Sequence, residues 1–432
     1  MAHKTSKSYF NLQKRLDDAV SGAPESNVLY EILKILFTEE EAELVSVLPL
    51  KFFTVEVAAK RWHKSEVETK KILDNLADKG ILLDIKKAEL QAYVLAPTMA
   101  GFFEFSLMRM GDRFDKKVLS KLFYQYINSE DKFIRQLFMQ NPPLGRVYVQ
   151  EDSVAPEDKS TVLNYEKATE VIKTASHITV GTCYCRHKME HLGKACDHPQ
   201  DVCLTFNGAA ESLSKHKIAR LISKDEAMEI LDRCISRGLI QFGDNVQEKV
   251  NFICNCCGCC CEAILAYKKF GYRDGLSVTN FIAEIDPKKC SDCGLCVKQC
   301  QMEAIKLNRV DSNLCVGCGA CVRVCPTGAI EMKKRDKKSF VPKDSFERLV
   351  LAAIDTGKLQ NYIFDNYTLW THTILRKLFG TILSLKPAKV ILANKQLQSR
   401  FLKMIVRSQK DSLFDKLYND GKKQDYSHPE LD

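Results

Sequence analysis

Apolar positions follow two different patterns along the first hundred residues. They follow helical spacing over residues 27–37, 55–59 and 65–80. Residues 81–83 and 93–95 are short apolar runs that flank a polar, lysine-containing segment. Such runs are typical of two paired strands. The pattern therefore predicts three helices followed by a β-hairpin.

The third of these helices has clear end signals and a balanced charge. Ser65 with Glu68 predicts an N-terminal capping box, and Gly80 predicts the C-terminal cap. The helix and its flanks carry four acidic residues, four lysines and no arginine: Glu66, Glu68, Asp74, Asp78, Lys64, Lys70, Lys71 and Lys79. Helices followed by a hairpin resemble a winged helix, a fold that often binds DNA. Because a DNA-reading helix usually carries net positive charge, protein docking is favoured over DNA binding.

Further helices are predicted in the middle and near the end of the chain. Amphipathic spacing continues over residues 98–145, where the segment 141–145 (NPPLG) breaks the pattern and predicts a domain boundary. The charged run 333–338 is typical of a linker, and two helices are predicted after it, over 371–385 and 388–407.

The helix predicted over 371–385 is amphipathic and basic. Its predicted apolar face consists of Ile374, Leu375, Leu378, Phe379 and Ile382, with Arg376 and Lys377 opposite. Residues 332–432 contain 20 Lys/Arg and 11 Asp/Glu, so their net charge of +9 equals that of the whole chain. Such a helix can pack on its own protein, lie on an anionic membrane or contact an acidic partner protein. Nucleic acid is less expected, because aromatic residues do not alternate with the basic ones.

Composition places the chain among ordinary multidomain globular proteins. Its 432 residues exceed the common domain size, and 45% apolar with 28% charged residues exclude a largely disordered chain. No apolar run approaches the roughly 18–20 residues of a membrane span. The N-terminal segment MAHKTSKSYF lacks the apolar core of an export signal. We therefore expect a cytoplasmic protein, with the inner face of the membrane as a peripheral location for the basic tail.

Cysteine is the residue that departs most from the average. All 19 cysteines lie between Cys183 and Cys325. In a reducing cytoplasm such a density indicates thiolates that hold metal rather than disulfides.

Eight of these cysteines form a repeat of 25 residues. Each copy reads C-x2-C-x2-C-x3-C, first as Cys290, Cys293, Cys296 and Cys300, then as Cys315, Cys318, Cys321 and Cys325. Three thiolates at this spacing let one tight loop contact three corners of an iron–sulfur cube, and the fourth ligand comes from the other copy. Zinc on two C-x2-C pairs is the less favoured alternative.

Residues 281–332 resemble the bacterial-type ferredoxin domain that holds two [4Fe–4S] clusters. The resemblance implies that Cys290, Cys293, Cys296 and Cys325 hold one cluster, and that Cys315, Cys318, Cys321 and Cys300 hold the other. Pro326 matches the proline that the family has after the fourth cysteine, whereas the first copy has Gln301 at that place. The implied chemistry is single-electron transfer at low potential.

A second group of cysteines precedes the repeat and has no regular spacing. Its ten members are Cys183, Cys185, Cys196, Cys203, Cys254, Cys256, Cys257, Cys259, Cys260 and Cys261. They are candidate ligands for one or two additional iron–sulfur clusters. Cys234, which stands alone on a predicted helix, is expected in the hydrophobic core.

The surroundings of this second group leave three further readings open. Arg186, Lys188 and Lys194 place positive charge near the cysteines, and His187, His191 or His198 could replace a cysteine as ligand. Residues 256–258 (CCG) resemble an element of heterodisulfide-reductase-type subunits, which build non-cubane clusters. Adjacent thiols also permit a redox-active dithiol.

Together these patterns predict an α+β, multidomain protein with four parts. They are a winged-helix-like module at 1–145, a cysteine-rich cluster-binding domain at 146–280, the ferredoxin domain at 281–332 and a basic helical tail at 333–432. The whole chain resembles the iron–sulfur proteins with ferredoxin domains found in strict anaerobes.

The favoured function is electron transfer between redox partner proteins, as a subunit or relay. One alternative is an iron–sulfur-dependent reductase that uses an unusual cluster or dithiol in residues 254–261. The other is a redox-sensing regulator in which the winged helix reads DNA. No phosphate-binding loop, nucleophile elbow or H-E-x-x-H motif is present, so the sequence names no catalytic residue.

Overall fold

The computed structural model describes residues 6–109, 114–270, 275–306 and 308–384. The helices are α1 Lys7–Asp17, α2 Asn27–Leu36, α3 Glu39–Ser46, α4 Val55–Trp62, α5 Glu66–Asp78, α6 Phe103–Met108, α7 Lys116–Phe123, α8 Asp131–Phe138, α9 Ala168–Thr174, α10 Tyr184–His191, α11 Asn207–Lys215, α12 Lys224–Ser236, α13 Glu262–Phe270, α14 Leu295–Gln299, α15 Ala320–Arg323, α16 Ser345–Asp355, α17 Leu359–Ile363 and α18 Trp370–Ser384.

The strands are β1 Leu82–Lys87, β2 Leu90–Leu95, β3 Gly145–Val147, β4 Ile178–Thr182, β5 Asp201–Phe206, β6 Arg220–Leu221, β7 Ile240–Asp244, β8 Phe252–Cys256, β9 Leu276–Ser277, β10 Phe281–Ile285, β11 Ile305–Lys306, β12 Arg309–Val310 and β13 Ile330–Lys334. Helices and several separate sheets in one chain agree with the predicted α+β class. No helix in the described ranges is long and apolar enough to cross a membrane.

The described residues divide into two compact units, one within 1–106 and 346–432 and the other within 107–345. The boundaries predicted after residues 145, 280 and 332 all lie within the second unit, and the finer four-part division remains a prediction.

The first unit contains the predicted helices and hairpin of the N-terminal module. Ser65 Oγ accepts a hydrogen bond from the Glu68 backbone N–H at 3.3 Å, and Gly80 has the positive φ expected beyond the end of α5. Strands β1 and β2 pair in antiparallel register, and Phe53 forms an added bridge to Tyr93. This geometry agrees with the predicted order of elements, and the winged-helix interpretation remains a prediction.

Helices from the C-terminal part of the chain complete the first unit. Val20 shares an apolar cluster with α16 and α17, including Leu351 and Leu359. The buried Arg15 guanidinium donates two hydrogen bonds to the Leu48 carbonyl, at 2.8 and 2.7 Å, and lies over the Tyr367 ring. Residues 346–384 therefore pack with the N-terminal helices.

Helix α18 agrees closely with the helix predicted over 371–385. The exposed apolar residues along it are Trp370, Ile374, Leu375, Leu378 and Phe379. Arg376, predicted on the opposite face, stacks on Tyr367 at 4.1 Å and donates to the Phe364 carbonyl. The helix predicted over 388–407 lies outside the described residues.

The second unit is organised by a seven-stranded sheet. Its strand order is β6-β4-β5-β8-β7-β3-β9, and every neighbouring pair is antiparallel except β3 with β9. Apolar side chains from β4, β5 and β8 pack against α9 and α12 in one core. Cys234 is fully buried in this core, as expected from its apolar neighbours, and burial raises its pKa to about 12. Two small two-stranded sheets, β10 with β13 and β11 with β12, form the repeat that follows.

Candidate metal centres

The two copies of the cysteine repeat have the same fold and interlock. Strand β10, which begins the first copy, pairs with β13, which ends the second, and β11 pairs with β12 where the copies meet. Each copy carries one short helix, α14 or α15, that begins two residues after its second cysteine. Because the outermost strands pair with each other, the copies form one structural unit.

Three turns recur at equivalent positions of the two copies. Positive φ angles occur at Asp292 and Gly317, at Gly294 and Gly319, and at Glu303 and Gly328, three pairs that are each 25 residues apart. Glycine occupies this conformation without strain, while Asp292 and Glu303 adopt it in the first copy. The repeat in sequence is therefore a repeat in backbone geometry.

The structure gathers one cysteine of the second copy with three of the first. Cys290, Cys293, Cys296 and Cys325 line one cavity of about 380 Å³. The Ala329 backbone N–H donates to Cys325 Sγ at 3.3 Å. Four convergent thiols around a cavity, with an N–H donor to sulfur, fit the ligand set of a [4Fe–4S] cluster.

The converse set is Cys300, Cys315, Cys318 and Cys321. Burial raises the pKa of Cys321, and the neighbouring thiols of Cys318, Cys315 and Cys300 raise it further. Burial raises the pKa of Cys318 to about 12. Since metal ligation requires thiolates, an ion or cluster must displace these protons when it binds. The Ala304 backbone N–H donates to Cys300 Sγ at 3.3 Å, as Ala329 does in the other set.

The ten cysteines of the irregular group divide into a set of four and a set of six. The four-cysteine set comprises Cys196, Cys257, Cys259 and Cys260, whose sulfur atoms all lie within 4.8 Å of one another. Cys196 lies in the loop before β5, and the other three lie in the turn between β8 and α13. Sequence spacing gives no sign of this set, because Cys196 is some 60 residues from its partners.

The six-cysteine set comprises Cys183, Cys185, Cys203, Cys254, Cys256 and Cys261. Cys254 and Cys256 are two residues apart on β8 and so lie on the same face of the sheet. Cys203 and Cys254 lie one residue beyond the paired Leu204 and Ile253, and their thiols share a hydrogen bond. Hydrogen bonds with the thiols of Cys203 and Cys256 lower the pKa of Cys254 to about 5.

The other members of the six-cysteine set come from helix termini. Cys183 precedes the first residue of α10, Cys185 lies in its first turn, and Cys261 directly precedes α13. Cys261 Sγ lies 3.2 Å from Cys256 Sγ, and Cys185 shares a hydrogen bond with Cys261. Sheet register and two helix ends thus bring six thiols into one region.

One buried arginine supplies positive charge between these two sets. The guanidinium of Arg186 donates to the carbonyls of Pro199 and Asn255. Burial alone would lower its pKa, but the charges of Cys183, Cys257 and Cys256 raise the pKa overall.

Two of the three histidines and the neighbouring lysine have partners other than the cysteines. His187 Nδ1 lies 2.6 Å from the Leu107 carbonyl oxygen, and its Nε2 lies 3.1 Å from His191 Nε2. Lys188 is buried against Glu262. His198 is half-buried. Burial lowers its pKa, and the charge of the nearby Cys257 opposes this shift only in part.

A contact that the sequence did not predict joins the irregular group to the repeat. The Gly258 backbone N–H donates to Gln301 Oε1 at 2.7 Å. A Cβ at Gly258 would lie 2.0 Å from the Gln301 carbonyl oxygen, so only glycine fits this approach. The one available signal was Gln301 itself, which stands where the second copy has Pro326.

Comparison with known families agrees with the repeat. The family model described as a 4Fe-4S binding domain matches residues 283–306 and again residues 309–331. The chain matches no curated protein and no solved structure. The protein therefore contains a ferredoxin-like, two-repeat domain that binds [4Fe–4S] clusters.

Proposed function

We propose that this protein transfers single electrons between redox partner proteins. In this proposal Cys290, Cys293, Cys296 and Cys325 hold one [4Fe–4S] cluster, and Cys315, Cys318, Cys321 and Cys300 hold the other. When bound, such clusters supply one-electron chemistry. The observation that carries the proposal is that one cysteine set reaches the surface while the other lies beside the turn that carries Cys257, Cys259 and Cys260.

The surface around the first set suits a partner protein. Leu295 and Val297 flank Cys296, and each is 44% exposed. Their equivalents in the second copy are Ala320, which is buried, and Val322, which is half-buried. Apolar side chains at the mouth of a redox site provide the contact area that a transient partner needs.

The second set has an interior neighbour rather than an open face. Cys300 directly precedes Gln301, whose side chain holds the turn that contains Cys257 and Cys259. We propose that electrons arriving at the exposed set continue toward this interior, where the six-cysteine set holds an additional iron–sulfur centre. As ligands these six cysteines would be thiolates, whose charge the metal ions and Arg186 would offset.

The test is iron, acid-labile sulfide and reduced-state electron paramagnetic resonance on anaerobically purified protein. We expect more than eight irons per chain, and a reduced spectrum in which two clusters interact. Cys293→Ala should remove one cluster and simplify that spectrum, whereas Cys234→Ala, which removes a core thiol, should leave it unchanged. An unchanged reduced spectrum in the Cys293→Ala protein would refute the ligand assignment.

One observation favours a reductase as the second candidate function. The sulfur atoms of Cys256 and Cys261 lie 3.2 Å apart, so a small shift brings them within bonding distance. Both residues are buried. In a dithiol reaction, a substrate disulfide gains two electrons and two protons and leaves as two thiols, while Cys256 and Cys261 form a disulfide. Two electrons and two protons, with electrons delivered singly by a reduced partner, then restore the dithiol. Thiol release from a disulfide substrate that is lost in Cys261→Ser would support this function.

A further inference from the structure

We infer that Cys196, Cys257, Cys259 and Cys260 bind a single tetrahedral metal ion, zinc or iron, and not an iron–sulfur cluster. This inference is independent of the proposed electron transfer, because it rests only on the geometry of the four thiols. It assigns different chemistry to the two cysteine sets that the sequence presents as one field.

Three of the six sulfur–sulfur separations match the edge of a tetrahedral site, and the other three are no longer than 4.8 Å. Cys196 Sγ lies 3.7 Å from Cys257 Sγ and 3.8 Å from Cys260 Sγ, and Cys259 Sγ lies 3.6 Å from Cys260 Sγ. A tetrahedral ion with metal–sulfur bonds of about 2.3 Å places its ligand atoms about 3.8 Å apart. The three separations fall within about 0.2 Å of that edge length.

The repeat offers an internal comparison. Around a cubane, four irons and four sulfides lie between the thiolates and hold them far apart. Among the described residues, no other group of three or more histidine, cysteine or acidic ligand atoms is as compact as this one, the two ferredoxin-type sets included. The four-cysteine set is therefore too tight for the centre that the repeat holds.

The local fold explains how three ligands arise from four consecutive positions. Gly258 separates Cys257 from Cys259, and its contact with Gln301 fixes the turn so that flanking side chains can converge. Cys257 and Cys260 are buried, while Cys259 is exposed. One ion would thus join the loop that carries Cys196 to this turn.

The ligand count indicates what the ion does. Four protein thiolates complete a tetrahedron and leave no position for water or substrate, which is typical of structural zinc and of single-iron sites. Arg186 donates a hydrogen bond to Cys257 and partly offsets the excess negative charge of a tetrathiolate. The site therefore stabilises the turn beside the repeat and, with iron, could also accept an electron.

The experiment measures zinc, iron and acid-labile sulfide in the anaerobically purified full chain, with X-ray absorption at both metal edges. We expect one zinc with four sulfur neighbours at about 2.3 Å, or, in its absence, one iron in excess of the labile sulfide. Cys259→Ala and Cys196→Ala should each lose one metal equivalent and no sulfide. The two substitutions lie in separate loops, so the same metal loss in both variants cannot result from local misfolding of one loop.

Two further variants serve as controls for the loss of metal and sulfide. Cys293→Ala should lose iron together with sulfide, and Cys234→Ala should lose neither. Loss of several irons with sulfide in the Cys259→Ala and Cys196→Ala proteins would overturn the inference, as would retention of all metal. The reduced-state resonance spectrum of the ferredoxin pair should persist in both, so failure of this inference is distinct from failure of the proposed electron transfer.

Discussion

The two copies of the cysteine repeat share their spacing and turns but differ in their surroundings. Cys293 and its neighbours Ser291, Asp292 and Leu295 are exposed, whereas the equivalent residues of the second copy are buried or half-buried. The same loop therefore lies in two different environments. Cysteine spacing determines which thiols converge, and the residues packed around the loop determine what can reach them.

Specific contacts cover the second loop. The Gln150 backbone N–H donates to the Cys318 carbonyl at 2.9 Å, and Thr279 Oγ1 donates to the Gly317 carbonyl at 2.8 Å. Arg335 donates to the Cys315 carbonyl at 2.7 Å. These residues come from outside the repeat or from its edge, so the difference between the copies is imposed by the rest of the second unit.

The largest effect is expected where this cover is tightest. A Cβ at Gly317 would lie 2.1 Å from the Phe281 carbonyl oxygen, and its φ of 72° already disfavours a side chain. We expect Gly317→Ala to cost about 3–5 kcal/mol of unfolding free energy, from overpacking and the left-handed backbone together.

The control is Gly294→Ala in the first copy, which meets no atom within 4 Å and should cost about 1 kcal/mol. Denaturant unfolding of the metal-loaded protein measures both. Equal losses would show that the two loops are not differently enclosed.

The second-largest effect is expected in how fast a chelator reaches the iron of the two cysteine sets. Because Cys293 is exposed and the second set is covered, we expect an iron chelator to remove iron from the two sets of the repeat at rates that differ at least about tenfold. The visible absorbance of the oxidised protein follows the loss. The faster of these two losses should be absent in Cys293→Ala protein, and equal rates in the parent protein would contradict the comparison.

A smaller loss should follow removal of the link to the second set. Gln301→Ala leaves the Gly258 N–H without its partner and should cost about 1–2 kcal/mol. We also expect weaker metal retention by Cys196, Cys257, Cys259 and Cys260. Gln301→Glu keeps an acceptor at the same place and serves as the control, and metal content after dialysis distinguishes the two variants.

The smallest effect on stability is expected at the exposed surface. Leu295→Ser should change the unfolding free energy by less than about 0.5 kcal/mol, because this side chain lies on the surface and is 44% exposed. Reduction by a protein electron donor should nevertheless slow several-fold, while reduction by dithionite stays unchanged. Equal rates with the protein donor would remove this surface from the proposed docking site.

Regular features of this molecule were predictable from sequence, and irregular ones were not. The spacing of the repeat predicted a ferredoxin-like domain that the family match supports, and periodicity predicted the hairpin after Gly80. The division of the ten remaining cysteines depends on the register of β5 with β8 and on a turn held by Gln301. Such contacts between distant segments leave no periodic trace in the chain.

The packing of residues 346–384 with the N-terminal helices was equally hidden. The charged run 333–338 predicted a separate tail, since a run of like charges is typically solvated. The ion pair between Arg61 and Asp365, at 3.4 Å, joins positions 304 residues apart. Only the folded chain brings them together.

Because each copy of the repeat supplies one cysteine to the other copy's set, the two sets are completed at different points of chain synthesis. Cys300, Cys315, Cys318 and Cys321 have all left the ribosome before Cys325, so the covered set is chemically complete first. The exposed set must wait for Cys325 and for β13, which closes on β10. A nascent chain that ends between Cys321 and Cys325 therefore has one complete set of four thiols, while the other set has three of its four.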